Sequence, residues 1–383
     1  MRIGTIISAI ESFAPPALQE KWDNTGLQVG NPAEECSGVL LCVDVTEDII
    51  AEAAEKGCNL VLSHHPLLFR GLKSISGATA QERAVIAAIR LGIAVYSTHT
   101  ALDSTVGGIS YTMARMLGAD VVSVLEPACG KMEKITVYAP RSKADDVKLL
   151  LLDLGSGTKI GAGNTADPLR PDDAVCLSHD IEAEVLSLPK TGSGASGSGN
   201  DDLDSLMRHE ALTRIETQVP SWRLGSIMSA LSEADIWPNL SVEVCTLDNT
   251  DPGCGLGVYA VFSEPVSLQE LVYRVKDTFG CTTIRMSSRP ESCEGGITRI
   301  GLCGGSGGEF IARARRCGAQ AYISADIRYH DFADCQNSII LMDIGHFESE
   351  SCAKDIFYRI LTNKFPNFAV YYSELEKNPV KYL

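Results

Sequence analysis

The sequence predicts an α/β protein, in which a core domain of mostly parallel sheet with helices is interrupted by a ferredoxin-like α+β insert. Three observations carry this prediction. Short apolar runs of strand length alternate with helical stretches before residue 130. The pattern then changes to polar–apolar alternation, and the first pattern returns after residue 255.

The first part of the chain alternates strands and helices with short connections. Residues 1–20 are expected to be helical because apolar side chains such as Ile3, Ile6 and Ile10 recur at helical spacing. Parallel strands joined by helices need right-handed crossovers, so this part is expected to form a parallel sheet. The expected strands are 39–43, 60–63 and 93–97, and the expected helices are 46–56, 79–91 and 107–117.

The middle of the chain has a different character. Residues 134–140 and 210–219 alternate polar and apolar side chains, which is typical of strands with one solvated face. Helical stretches at 143–153 and 221–233 complete two halves of a ferredoxin-like unit. The insert is therefore assigned to residues 131–252, with a flexible glycine- and serine-rich loop at 191–203. The α/β core is discontinuous and comprises residues 1–130 and 253–383.

The last part of the chain returns to the strand–helix alternation of the first part. If the two parts form one core, the C-terminal strands must come back beside the N-terminal ones. The expected strands are 297–303, 321–324, 338–343 and 368–372, and the expected helices are 267–279, 309–317 and 349–363.

Composition excludes several classes of protein. Lysine and arginine number 33 against 49 aspartates and glutamates, and a net charge of −16 argues against general nucleic-acid binding. No apolar run approaches the ~20 residues that cross a bilayer, and no signal peptide is evident, so a cytoplasmic protein is expected. The thirteen cysteines contain no C-x-x-C pair, which argues against a disulfide framework and against a zinc ribbon.

Residues with metal-ligand chemistry follow three of the expected strands. His64 and His65 follow the strand at 60–63, His99 and Asp103 follow the strand at 93–97, and the segment after 338–343 contains His346 and Glu350. Carboxyl ends of parallel strands meet at one edge of a sheet, so these side chains are expected to converge. A spacing of four residues also places His346 and Glu350 on one face of a helix.

Imidazole and carboxylate ligands without thiolate suit zinc, iron, manganese or nickel. Five ligands are many for one catalytic ion, and with a carboxylate to bridge they suit two divalent ions. A single histidine at a strand end is more often structural, so the case depends on the three ends acting together. The glycine-rich turn 304–308 could cradle an anion or simply allow close packing. Arg328 and His330 could contact a phosphate or relay protons, or form a structural salt bridge.

Other hydrolase chemistries have little support in the sequence. The G-x-S-x-G elbow of serine hydrolases is absent. A cysteine nucleophile lacks a local signature, although the number of cysteines leaves that alternative open.

Six motifs, taken in order, resemble those of one known family. Together they are similar to the Nif-three-like family of "dinuclear metal centre, hexameric" proteins, whose members are often labelled type 2 homologues of GTP cyclohydrolase I. The resemblance extends from about residue 1 to the C-terminus. The motifs lie at residues 21–30, 63–66, 99–103, 304–307, 326–331 and 345–350.

The resemblance implies a site, an assembly and an insert type. Five residues would bind two metal ions, with Asp103 as the bridge, while His99 and His330 would line the site without binding the ions directly, or would transfer protons. Toroidal homohexamers are implied, and so is an inserted domain similar to the PII proteins. The implied metal ligands are His64, His65, Asp103, His346 and Glu350.

The leading functional hypothesis is a metal-dependent hydrolase of the GTP cyclohydrolase I type 2 homologue group, acting on a nucleotide-like or phosphorylated substrate. The alternative is a metal-binding, metal-delivery or regulatory hexamer without turnover. A scaffold that binds no metal is a third reading.

Overall fold

The structure is a computed structural model. It describes residues 1–128, 130, 132–154, 158–159, 174–186, 207–234, 240–288, 290 and 293–382. The expected loop at 191–203 lies outside the described residues. Contacts divide the chain into two units: unit 1 is formed by residues 1–129 and 252–383, and unit 2 by residues 130–251. No helix in the described part of the chain combines the length and apolar character that crossing a bilayer requires.

Unit 1 begins with a five-stranded sheet in the order β1-β4-β3-β2-β17. Strand β1 is antiparallel to β4, and the other three pairings are parallel. Because β17 pairs with β2, the last strand returns beside the first ones. The strands are β1 Gly26–Val29, β2 Val39–Cys42, β3 Leu60–Ser63, β4 Ala94–Ser97 and β17 Val370–Tyr372.

The three central strands of this sheet are buried on both faces, which explains their continuous apolar sequences. Helices connect and cover them. Thr79 begins the third helix by accepting a hydrogen bond from the Glu82 N–H, and Gly92 ends it in the left-handed conformation. The helices of this part are α1 Ile3–Phe13, α2 Glu47–Glu55, α3 Ala80–Leu91, α4 His99–Ser104 and α5 Ile109–Met116, with a 3₁₀ turn at Pro16–Leu18.

A second sheet of unit 1 has six strands in the order β13-β16-β15-β14-β12-β5. Strands β14, β15 and β16 are parallel, whereas the pairings of β13, β12 and β5 are antiparallel. The core therefore contains two mixed sheets. The strands are β5 Asp120–Pro127, β12 Gly255–Val266, β13 Arg285–Met286, β14 Ile297–Ser306, β15 Ala321–Ala325 and β16 Ile340–Asp343.

One buried cluster joins the two sheets of unit 1, with Leu62 and Tyr96 from the first and Ile323 and Met342 from the second. The predicted helix at 349–363 is divided into two. The helices of this part are α8 Leu268–Phe279, α9 Ile311–Arg316, α10 Tyr329–Asp334, α11 His346–Glu350 and α12 Ala353–Lys364, with a 3₁₀ turn at Gly308–Phe310.

Unit 2 has a four-stranded antiparallel sheet in the order β11-β6-β10-β9. Its helices pack on one face through buried side chains such as Val147 and Ile227. Apart from a short pairing of β7 with β8, the described elements follow a β-α-β-β-α-β order. The elements are β6 Met132–Pro140, a 3₁₀ turn Arg141–Lys143, α6 Ala144–Asp153, β7 Thr158–Lys159, β8 Ala174–Val175, β9 Leu177–Leu186, β10 Met207–Pro220, α7 Ser221–Glu233 and β11 Ser241–Thr246.

Candidate metal centre

His64 and His65 lie where the parallel strand β3 leaves the first sheet. Their backbone N–H groups still donate to the carbonyls of Cys42 and Val43, at 3.2 and 2.9 Å, so the neighbouring strand fixes both residues. Pro66 then prevents regular continuation of the strand. The His64 side chain is fully buried, whereas that of His65 is 22% exposed.

The second pair of candidate residues lies in the short helix α4, which the sequence analysis did not predict. The His99 N–H donates to the His64 carbonyl at 2.8 Å, and His99 has a φ of 35°. Positive φ is uncommon outside glycine and marks a constrained backbone. Asp103 lies one helical turn later, and its carboxylate is buried next to His64.

His346 and Glu350 occupy the two ends of α11, as their spacing predicted. Nε2 of His346 lies 3.1 Å from Oε2 of Glu350. The Ser349 hydroxyl accepts a hydrogen bond from the Gly305 N–H at 2.9 Å, which ties this helix to the end of β14. The segment that follows the second sheet thus brings two further candidate side chains to those that follow the first sheet.

The carboxylate of Glu350 is the centre of the group. Nε2 of His65 lies 2.8 Å from Oε2 of Glu350, and Nε2 of His64 lies 3.5 Å from Oε1. Nε2 of His64 is also 3.7 Å from Oδ1 of Asp103. His64, His65 and Glu350 present ligand atoms that all lie within 4.8 Å of one another, and this group could hold a metal ion.

Several buried polar atoms of this group have no hydrogen-bond partner among the residues that the structure describes. They are both ring nitrogens of His64, Oδ1 of Asp103 and Oε2 of Glu350. Oε2 of Glu350 is close to two ring nitrogens, but these approaches lack hydrogen-bond alignment. Buried polar atoms are normally satisfied, so an unsatisfied set of nitrogen and carboxylate ligands fits a cation.

The ionisable groups of the site affect one another strongly. Burial lowers the pKa of His64 to about 4. Burial also works to lower the pKa of His65, but the hydrogen bond to Asp44 and the charge of the nearby Glu350 carboxylate offset it and raise that pKa to about 10. The same balance raises the pKa of His346 to about 9. The Glu350 carboxylate therefore favours the protonated forms of His65 and His346, and a metal ion would compete with these protons.

The pKa values of the two carboxyl groups of the site are shifted in opposite directions. Burial and then the charge of Glu350 raise the pKa of Asp103 well above its usual range. Burial also works to raise the pKa of Glu350, but the facing imidazoles hold it well below its usual range. A metal ion would favour the ionised form of both carboxyl groups.

Three aspartates hold the outer ring nitrogens of the histidines, and the sequence analysis missed this role. Nδ1 of His65 lies 2.8 Å from Asp44, Nδ1 of His346 lies 2.7 Å from Asp326, and Nδ1 of His99 lies 2.7 Å from Asp23. Carboxylates in this position fix the ring orientation and the tautomer of metal-binding histidines. A usable signal existed, because Asp44 and Asp326 follow the buried strands β2 and β15.

The structure also describes two other features that the sequence singled out, His330 and the glycine-rich turn. His330 is exposed in α10, where its ring contacts Tyr329, and no ring contact in the described residues joins it to the other histidines. In the glycine-rich turn, the N–H groups of Gly304 and Gly305 are engaged by Ser110 and Ser349. A Cβ atom at Gly305 would also overlap the Glu350 carboxylate. This turn therefore serves close packing against the site, which is one of its two predicted roles.

Comparison with known proteins identifies the family. The chain is 27% identical over 356 residues to the GTP cyclohydrolase 1 type 2 homolog of Mycobacterium bovis, covering 91% of this chain and 88% of that one. It is 28% identical over 386 residues to the protein of the same name from Bacillus subtilis, covering 99% and 98%.

Solved structures share the fold. A Bacillus cereus protein related to NIF3 has a TM-score of 0.80 at 25% identity, with 100% of this chain and 99% of that chain covered. A Staphylococcus aureus protein has a TM-score of 0.69 at 23% identity, with the same coverage. The family model of Duf34/NIF3 (NGG1p interacting factor 3) matches residues 1–379, so the chain belongs to this family, as its motifs predicted.

Proposed function

We propose that this protein is a dinuclear metal-binding protein, in which Asp103 would help to hold both divalent ions. The single observation that supports this most is the set of buried nitrogen and oxygen atoms without hydrogen-bond partners around Glu350. Two ions with a shared carboxylate would satisfy all five side chains. The proposed ligands are His64, His65, Asp103, His346 and Glu350.

The proposed metals are zinc, iron, manganese or nickel, because the ligand set contains imidazole and carboxylate but no thiolate. Elemental analysis of purified protein tests this, with two ions per chain expected. Glu350→Gln is expected to lose most of the metal, because Glu350 approaches three of the four other ligands. Well under one ion per chain in the wild type, unchanged in Glu350→Gln, would leave a scaffold role instead.

We further propose that the protein is a metal-dependent hydrolase of the GTP cyclohydrolase 1 type 2 homologue group, acting on a nucleotide-like or phosphorylated substrate. The names of the relatives support the group, and the open side of the site at His65 supports access of a substrate. When bound, the ions would supply Lewis-acid polarisation and activation of water.

His99 is the proposed proton-transfer residue of this reaction. Its Nδ1 lies against the carboxylate of Asp23, which assigns the proton to Nδ1 and leaves Nε2 with a lone pair. The His99 ring is 5.6 Å from the ring of His64 and 5.5 Å from that of His65, centroid to centroid. The sequence also made His330 a candidate for proton transfer. Because His330 is exposed, His330→Gln is the variant for comparison.

Turnover of metal-loaded protein on a panel of nucleotides and phosphoesters tests the hydrolase proposal. We expect hydrolysis that His64→Ala abolishes, that His99→Gln slows by about 10²–10⁴-fold at full metal content, and that His330→Gln changes little. If no substrate reacts faster with wild type than with His64→Ala, the hydrolase proposal is wrong. Metal that transfers to an acceptor without any turnover would then favour a metal-delivery or regulatory protein.

We also propose that six copies form a toroidal homohexamer and that residues 131–252 are an inserted domain of the PII-like type. The β-α-β-β-α-β order of unit 2 supports the second of these. Light scattering is expected to give six times the mass of one chain. Deletion of residues 131–252 is expected to leave a folded core that still binds metal. A wild-type mass of one or two chains would contradict the hexamer.

A further inference from the structure

Two large aromatic side chains are exposed beside the candidate metal centre. Trp22 is 61% exposed and Phe69 is 51% exposed. Their ring centroids are 5.9 Å apart, and they lie 5.7 and 6.0 Å from the ring of His99. The aromatic pair is therefore continuous with the histidines of the site, and a molecule resting on it would lie next to them.

The loops that carry this aromatic pair are held in place by side-chain hydrogen bonds. Nδ2 of Asn24 donates to the Leu68 carbonyl at 2.7 Å, and the Leu68 N–H donates to Oε1 of Gln28 at 3.0 Å. Nε2 of Gln28 donates back to the Asn24 carbonyl at 2.8 Å. The two rings are thus exposed in a fixed arrangement, which is typical of a surface that binds a flat ligand.

A cavity of about 510 Å³ opens next to the aromatic pair. Its volume lies in the range of small-molecule sites. His65 and Phe69 both line it, so the cavity adjoins one histidine of the candidate metal centre and one ring of the aromatic pair. The apolar part of its wall includes Pro66, Leu67 and Ala80, and Ala80 is the first residue of α3.

The charged groups of the cavity wall are partly paired. Asp44 holds His65, and Glu47 pairs with Arg83 at 3.3 Å. Arg70 and Asp48 also line the cavity, and within the described residues no hydrogen bond or ion pair engages either side chain. One free guanidinium and one free carboxylate suit a ligand with an anionic group and with N–H donors.

We propose that this cavity and the aromatic pair form a substrate subsite for a heteroaromatic ring that carries an anionic group such as a phosphate. Phe69 and Trp22 would stack on the ring. Arg70 would pair with the anionic group, and Asp48 would accept hydrogen bonds from N–H groups of the ring. The inference rests on the proposed function, because it places the substrate of the metal centre beside His65. The competing occupant of the aromatic pair is a second copy of the chain.

Calorimetric titration of the full-length, metal-loaded protein tests this subsite. The probes are guanosine monophosphate, guanosine and inorganic phosphate. We expect the monophosphate to bind more tightly than either part alone. Phe69→Leu is expected to lower the affinity for the monophosphate and for the nucleoside about tenfold, because it removes stacking. Arg70→Gln is expected to lower the affinity for the monophosphate about tenfold and to leave the affinity for the nucleoside unchanged.

Arg90→Gln is the matched control, because Arg90 is exposed at the far end of α3 and does not line the cavity. Its affinities are expected to equal those of the wild type. Equal affinities in wild type, Phe69→Leu and Arg70→Gln would overturn the subsite. The subsite would also be overturned if Phe69→Leu changed the mass of the assembly but not the affinity for the monophosphate. A second copy of the chain would then cover the aromatic pair.

Elemental analysis of the same samples separates this inference from the proposed function. Full metal content with no binding of the monophosphate overturns the subsite alone. The wild type could instead contain no metal and still bind the monophosphate, with this binding lost in Arg70→Gln. That result would support the subsite and contradict the proposed metal centre.

Discussion

Gly305 lies directly against the carboxylate of Glu350, so that a Cβ atom at this position would overlap Oε1 and lie 3.4 Å from Nε2 of His346. Gly305 also has a φ of +63°, which other residues rarely adopt. The backbone of β14 at this glycine, one residue before the strand ends, therefore approaches the centre of the candidate metal site more closely than any side chain would allow.

Gly305→Ala is expected to displace Glu350 and to reduce the metal content to below one ion per chain. Gly280→Ala is the matched control, because Gly280 has a φ of +64° and nothing within 4 Å of an added Cβ. Both variants should lose about 1–2 kcal/mol of stability from the strained backbone, but Gly280→Ala should retain its metal. Equal metal content in the two variants, measured by elemental analysis, would contradict this role of Gly305.

Asp44→Asn is expected to weaken metal binding about 10–100-fold, because Asp44 orients the ring of His65 through Nδ1. Competition with a chelator of known affinity measures this change. Asp48→Asn removes a carboxylate that lines the same cavity as Asp44 but makes no hydrogen bond or ion pair with a histidine in the described part of the chain, and it should bind metal as the wild type does. If both variants lose affinity equally, the effect is one of general charge and not of ring orientation.

The C-terminal segment is expected to stabilise the edge of the site. The Glu376 carboxylate accepts from the Asp44 N–H at 3.1 Å and pairs with Lys354 at 2.5 Å, and its side chain is 3% exposed. Glu376→Gln leaves the Lys354 ammonium without its partner and should lower the free energy of unfolding by about 3 kcal/mol.

Glu374→Gln is the control for this prediction. The Glu374 side chain is 79% exposed and pairs with Lys56, so its removal should cost below about 1 kcal/mol. Urea denaturation of the two variants and the wild type measures the difference. If Glu374→Gln and Glu376→Gln lower the free energy of unfolding equally, burial of the ion pair does not determine its contribution to stability.

Glu82 is expected to make stability depend on acid pH. Oε2 of Glu82 accepts from the Ser76 hydroxyl, the Ser76 N–H and the Ala78 N–H at 2.7–3.0 Å. The hydrogen bond from the Ser76 hydroxyl contributes most to lowering the pKa of Glu82 from 4.5 to about 2. A depressed carboxyl pKa contributes stability above 4.5 that is lost as the pH falls through about 2.

Glu82→Gln isolates this contribution from other titrating groups. The wild type should be more stable than the variant at pH 7, and this difference should shrink between pH 4.5 and pH 2. Urea denaturation at a series of pH values measures the difference. A difference that stays constant across this range would mean that the Glu82 charge does not stabilise the start of α3.

Local patterns in the sequence predicted much of the fold and of the site. Buried strands at 39–43, 60–63 and 93–97 could be predicted because their apolar runs and flanking glycines are local signals. The His346–Glu350 spacing indicated one helical face before any contact was known. The short helix at His99 could not be predicted, because the contact of its backbone with His64 holds it in place.

By itself, the sequence determined the α/β class, the family and the kinds of side chain that follow the strand ends. Only the tertiary structure decided that two mixed sheets bring these side chains together, that Asp23, Asp44 and Asp326 hold the histidine rings, and that Gly305 packs on Glu350. The physical reason is that periodicity and spacing encode which face of an element is buried. Contacts between side chains far apart in the chain depend on how the two sheets pack around a common core.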